Sequence, residues 1–283
     1  MTELNLFLLV FGLQIVLLSA YYPWRVWQRA RYIVTHYPAS THPKLYPNSS
    51  RSFIRSMNWF NALHVINFTL GWVLVFLLHQ GIWSVENGVN KLLPWGYFML
   101  QMLPSVLWDV FGLKMAKLMQ KADTRTIKSA QLTPRRLTDH IAPGLLTAVL
   151  LSYVAFLLIG YWVEGFEFST NSKTTLMGGI LLAGYALFWV MAKWLITGGG
   201  KNPYQSAAER HHAVATNIRT FAYTLIICCV FMLITLLIDT YEMEAIMPIL
   251  MSVFLQLLVI VSMGIMLNKC RIENINFDVY KAG

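Results

Sequence analysis

Charge is scarce in this chain, and negative charge is scarcest: 12% of the 283 residues are Asp, Glu, Lys or Arg, with 13 acids against 22 bases. A soluble domain carries roughly twice that charged fraction, so neither a water-soluble globule nor a disordered tail fits. Cysteine is equally sparse. Of the three, Cys228 and Cys229 sit inside an apolar run and Cys270 follows the last one, which excludes a disulfide framework. Met1 to Asn5 carries Glu3 and no Lys or Arg. Without a basic n-region the first apolar run is expected to stay as a span rather than act as a cleaved signal.

Catalytic and nucleotide motifs are missing as well. Gly198-Gly199-Gly200-Lys201 has Leu195 where a Walker loop needs its first glycine and Asn202 after the lysine. There is no HExxH and no GxSxG. The histidines outside the apolar runs, among them His36, His42, His211 and His212, lack the carboxylate or cysteine company of a metal site, so no metal and no cofactor is expected. No lysine stands in the last apolar run to carry a retinal Schiff base.

What is present is apolar length. Hydrophobic residues make up 57% of the chain, and about 20 of them in a row cross the hydrocarbon layer. Seven such runs are expected to span, at about Leu4–Tyr22, Asn58–Leu78, Leu92–Leu113, Pro143–Val163, Thr175–Trp194, Thr220–Ile238 and Ala245–Leu267. The fold class is therefore an all-α, polytopic membrane helix bundle forming a single transmembrane domain, residues 1–283. Basic residues flank the spans on one side: of the 22 Lys and Arg, only Lys91 and Lys173 fall on the other. That second face collects Glu3, Glu86, Glu164, Glu167, Asp239, Glu242 and Glu244. By the positive-inside rule the N-terminus is outside and the C-terminus cytoplasmic, and the expected location is a plasma membrane, the bacterial inner membrane. The charge of +9 then points to anionic lipid headgroups rather than to nucleic acid.

The expected headgroup or partner contacts are Arg25, Arg29, Arg31, Arg51, Arg55, Lys114, Lys117, Lys121, Arg135 and Arg136. Trp24 to Val34 alternates aromatic and basic residues and suggests a short helix lying on the membrane. Lys114, Lys117 and Lys121 share a helical face, so the third span is expected to continue as an amphipathic stem. Gly198-Gly199-Gly200 should end the fifth. Kinks are expected near Pro104 and Pro248, and close helix packing at Gly179 and Ala183.

Polar groups inside the runs are the place to look for function. Asp109 is the one acid well inside a run, and His64 is the one comparable histidine, flanked by Asn61 and Asn67. Spans two and three form a hairpin in which His64 lies roughly 10 Å from the inner end and Asp109 roughly 7–8 Å. Asn61, His64, Asn67 and Asp109 are thus a candidate polar site, either a proton-coupling or headgroup pocket or a purely structural clamp. Gln14 and Gln256 are expected to bridge helices.

Three functions are compatible with these features. They are a non-catalytic membrane subunit or scaffold with a protein partner, a transporter or permease component using His64 and Asp109, and an enzyme acting on a lipid or lipid-linked substrate with Arg55 holding a phosphate.

Overall fold

A computed structural model describes residues 3–82, 90–123, 136–166, 168–198, 202–269 and 272–281. Arg135, Glu86, Glu167, Gly199, Gly200, Lys201 and Cys270 lie outside them. Among the described residues seven long helices carry the fold, one for each expected apolar run. They are α1 (Glu3–His36), α2 (Ser50–His79), α3 (Leu93–Ala122), α4 (Pro143–Val163), α5 (Lys173–Thr197), α6 (Ala207–Thr240) and α7 (Met247–Lys269). Six are long and apolar enough to cross a membrane. The other is α3, as long as α2 but diluted by Gln101, Pro104 and Asp109. In α2 only 17% of the most apolar stretch is buried inside the fold. Leu70, Val73 and Phe76 point outward, a surface that water would not tolerate and lipid would.

The chain divides into two compact units. The first contains α1, α2, α3, residues 202–210 and the tail from Ile272. Here α1 corrects one expectation. Trp24 to Val34 is helical but not a separate surface element, because the helix runs unbroken from Glu3 to His36. The break that Pro23 would otherwise impose is absorbed by a π-helical turn over Val16–Tyr21, in which the Tyr22 N–H donates to the Leu17 carbonyl five residues back. A proline has no N–H to give and its ring crowds the preceding turn; the wider π turn takes up that misfit.

The helix of the third apolar run does continue as a stem. Helix α3 reaches Ala122 with Lys114, Lys117 and Lys121 exposed, and Met115 and Met119 buried. Met119 joins Phe277 and Tyr280 of the tail in a small core. Phe277 stacks on Tyr37 with ring centroids 4.0 Å apart, and the Asn202 amide donates to the Tyr280 hydroxyl at 2.6 Å. Ser206 and Glu209 form a reciprocal capping box at the start of α6. The Glu209 carboxylate also accepts from the Asn276 N–H at 3.0 Å, tying the tail down.

Burial raises the pKa of both Tyr46, whose hydroxyl donates to the Tyr37 carbonyl at 3.0 Å, and Tyr280 above the ordinary 10.0. A raised folded-state pKa means the stabilisation is complete below the unfolded value and is lost as pH rises through the folded one. The tail should therefore resist protease near neutrality and become cleavable above about pH 10. Phe277→Ala should expose it at neutral pH. Cleavage that stays constant from about pH 8 to about pH 11 in wild type would contradict this anchoring.

The second unit contains residues 136–198 and 211–269 of the described chain, thus α4, α5, most of α6, and α7. Its core gathers Ile141, Val149, Phe188, Ala192, Val214, Ile218, Ala222 and Leu225. Phe231 of α6 stacks on Phe254 of α7 at 3.9 Å, and Lys173 pairs with Asp239. Cys228 and Cys229 are free thiols. Gly198, with φ of 120°, ends α5 as expected.

Two packing expectations are corrected here. Gly179 and Ala183 are exposed, and nothing lies within 4 Å of a Cβ placed on Gly179. The close approach is one residue earlier, at Gly178, whose carbonyl accepts from the Tyr153 hydroxyl at 3.2 Å and where an added Cβ would come within 3.0 Å of Leu157. Pro248 lies in the first turn of α7 and Pro104 inside an uninterrupted α3, so of these two only Pro104 costs a helical hydrogen bond.

Candidate functional site

The buried side chains of α2 are Met57, Phe60, His64, Asn67, Gly71 and Leu78. From Met57 to Gly71 their spacing of three and four residues is the seam of a helix packed against neighbours at heptad positions. His64 and Asn67 therefore point inward because they fall in this phase, and Asn61, one residue past Phe60, falls outside it and is exposed. Helix α3 has the same phase, burying Pro94, Tyr97, Gln101, Pro104, Met115 and Met119. Trp108 belongs to that seam, so Asp109, about 100° further round the helix, is exposed.

This phase decides the expected meeting of His64 and Asp109, which does not occur. Trp108 faces α2 instead, with its ring 5.4 Å from Phe60 and 5.8 Å from Phe53. Phe60 in turn meets the His64 ring edge-on at 4.6 Å. Neither ring nitrogen of His64 has a hydrogen-bond partner, although the residue is only 1% exposed. Such a group is rare in a folded interior, since leaving it unsatisfied costs about 1–3 kcal/mol.

His64 borders an open cleft of about 480 Å³ between α1 and α2. The α1 wall is the π turn with Ser19 and Tyr21, followed by Pro23 and Trp24; the α2 wall is Asn61, His64, Val65 and Phe68. A π turn next to an unpartnered buried histidine is the kind of local irregularity that accompanies binding sites.

Beneath the cleft the remaining polar side chains are occupied with one another. The Gln14 amide donates to the Gln101 side-chain oxygen at 3.1 Å and to the Pro94 carbonyl at 3.3 Å. Gln101 donates to the Ser19 hydroxyl at 2.9 Å. Asn67 donates to the Leu100 carbonyl at 2.8 Å, and the Tyr97 hydroxyl to the Asn67 carbonyl at 2.5 Å. Gln14 thus bridges helices as expected. The bond recorded for Gln256 is to Ser252 of its own helix at 3.3 Å. Ser19, Tyr97 and Gln101 escaped the sequence reading; the heptad phase through Tyr97 and Gln101 would have picked out those two.

Arg31, Arg51, Arg55 and Arg136 are exposed, whereas Arg25 donates to the Tyr21 hydroxyl at 3.1 Å. Arg31 lies over the Trp27 ring at 5.2 Å. Arg51 and Arg55 share one face of α2 with Trp59.

Six membrane-length apolar helices and outward-facing apolar side chains define a multi-pass integral membrane protein. Comparison with family models, with curated proteins and with solved structures gives no match.

Proposed function

We propose that this protein is a non-catalytic subunit or scaffold of a larger membrane complex. It is a single membrane domain threading a plasma membrane, the bacterial inner membrane, seven times, with its N-terminus outside and its basic connections in the cytoplasm. The observation that carries the partner is Asp109. It is exposed on α3 beside Val106 and Val110, both also exposed, and it has no hydrogen-bond or ion-pair partner among the described residues. An acid in this position costs up to about 2.5–3.5 kcal/mol in hydrocarbon unless something pairs with it. A donor-bearing helix of another chain removes that cost. The internal network supports the same reading, because Gln14, Gln101, Asn67 and Tyr97 are spent on holding α1, α2 and α3 together. Anionic headgroups remain the expected company of Arg51, Arg55, Lys114, Lys117 and Lys121.

The test is extraction in mild detergent. Wild type should leave the membrane with a stoichiometric partner, and Asp109→Leu should leave it alone while remaining monodisperse and helical. Repeated recovery of wild type as the free protein would end the scaffold reading.

A second reading, a transporter or permease component, has the His64 cleft in its favour. It requires His64→Ala to abolish a pH-dependent flux without loss of folding.

A further inference from the structure

Helices α6 and α7 are joined by residues 241–246 and so run antiparallel. Counted back from that connection, Arg219 on α6 and Lys269 on α7 are about equally far along, at about 1.5 Å per residue. Both cations therefore sit at the same end of the hairpin. Both are exposed, as is Tyr223 one turn from Arg219. None of the three has a hydrogen-bond or ion-pair partner among the described residues. From these groups a groove of about 550 Å³ continues between the two helices over Ile226, Val261 and Ile265. Two cations and a phenol at one end of an apolar trough complement an anionic head carrying a hydrocarbon tail. The volume lies within the roughly 300–1,000 Å³ of small-molecule sites. The Arg51 and Arg55 patch differs, since all its lining residues come from α2 and no second helix makes a trough.

We propose that the α6–α7 groove holds one acidic glycerophospholipid. Its phosphate lies between Arg219 and Lys269 and accepts a hydrogen bond from the Tyr223 hydroxyl, and one acyl chain follows Ile226, Val261 and Ile265. Charge-assisted bonds to phosphate are the strong ones, and the acyl chain adds apolar burial that a free phosphate lacks. The site is independent of the partner proposed for Asp109 and needs only that α6 and α7 lie in a bilayer.

The experiment uses the full chain, delipidated in mild detergent and titrated with phosphatidylglycerol or phosphatidylcholine, with bound lipid counted by native mass spectrometry. One phosphatidylglycerol should bind at least about tenfold more tightly than phosphatidylcholine. Arg219→Gln with Lys269→Gln should weaken it about tenfold or more. Ile265→Trp, which fills the trough and leaves both charges, should weaken it too and keeps the test open if the charge variant misfolds. Lys193→Gln, an exposed cation on α5 away from the groove, should change nothing, and glycerol 3-phosphate should not compete. Undiminished binding in folded Arg219→Gln/Lys269→Gln or in Ile265→Trp would overturn the proposal. So would an equal loss in the Lys193 variant, or competition by glycerol 3-phosphate, which would make this a soluble phosphate site.

Discussion

Gly71→Leu is expected to produce a larger loss of stability in the purified protein than any polar substitution in the first unit. Gly71 stands in the α2 seam, where a Cβ would fall 2.9 Å from Ile15 Cγ1 on α1 and 2.9 Å from Tyr97 Cζ on α3. Both neighbours are buried side chains of other helices, so relief requires Ile15 and Tyr97 to shift within a packed interior. Gly71→Ala should cost about 1–3 kcal/mol, and leucine should reach or exceed the top of that range. Tyr97→Phe offers a check on the cause. Removing the hydroxyl that crowds Gly71 should recover part of the alanine penalty, but only part, because Ile15 stays and the bond to the Asn67 carbonyl is forfeited. Thermal unfolding in detergent is the measurement. A Gly71→Ala variant as stable as wild type would mean that the three helices are not in this close contact.

The same seam explains what could be read from the sequence. Each of the seven apolar runs coincides with a long helix, and six of these helices are long and apolar enough to cross a membrane, a length and composition that soluble helices rarely share. Gln14 as a bridge was legible for a related reason, since an amide deep in an apolar run has few uses except another helix. Rotational phase was harder. Asp109 and His64 match in depth yet differ by about one residue in phase, and one residue is about 100° of helix; Trp108 took the inward position instead. Gly179 failed against Gly178 by the same single step. In both cases residue type and depth mislead until the buried stripe of each helix is fixed. The positions Met57, Phe60, His64, Asn67 and Gly71 contain that stripe in plain sequence.

Other features had no local signal. The dipeptide Tyr22-Pro23 argues for a break, and only the wider turn over Val16–Tyr21 lets α1 continue. The tail contact of Phe277 with Tyr37 joins residues far apart in the chain, a pairing that composition and period do not encode. His64 is the reverse case, since its place in an apolar run was evident while its lack of any partner was not. Together the seam and the π turn account for the cleft. The seam turns His64 toward α1, and the π turn sets Ser19 where it serves both the cleft wall and the Gln101 bond.

Gln101→Leu should be the most costly of the polar substitutions, and its effect should depend on Gln14 in a way that identifies the bond. Gln101 is fully buried and joins α3 to α1 twice, accepting from Gln14 and donating to Ser19. Leucine removes both bonds, leaving the Gln14 amide its Pro94 carbonyl contact and taking from the Ser19 hydroxyl its Gln101 donor. A stranded buried polar group costs about 1–3 kcal/mol. In membrane proteins the measured coupling of such pairs averages about 0.6 kcal/mol, because the unfolded helices also find partners. The expected loss for Gln101→Leu is therefore about 1–2 kcal/mol. Adding Gln14→Leu should then cost less than Gln14→Leu alone, since its bond to Gln101 is already gone and two apolar side chains meet where two amides met. Non-additivity is the signature: the double variant should be more stable than the sum of the two single losses allows. If the single losses simply add, Gln14 and Gln101 do not share a bond. The hydrogen-bonded brace between α1 and α3, and with it the argument that these buried polar groups serve the scaffold, would then fall.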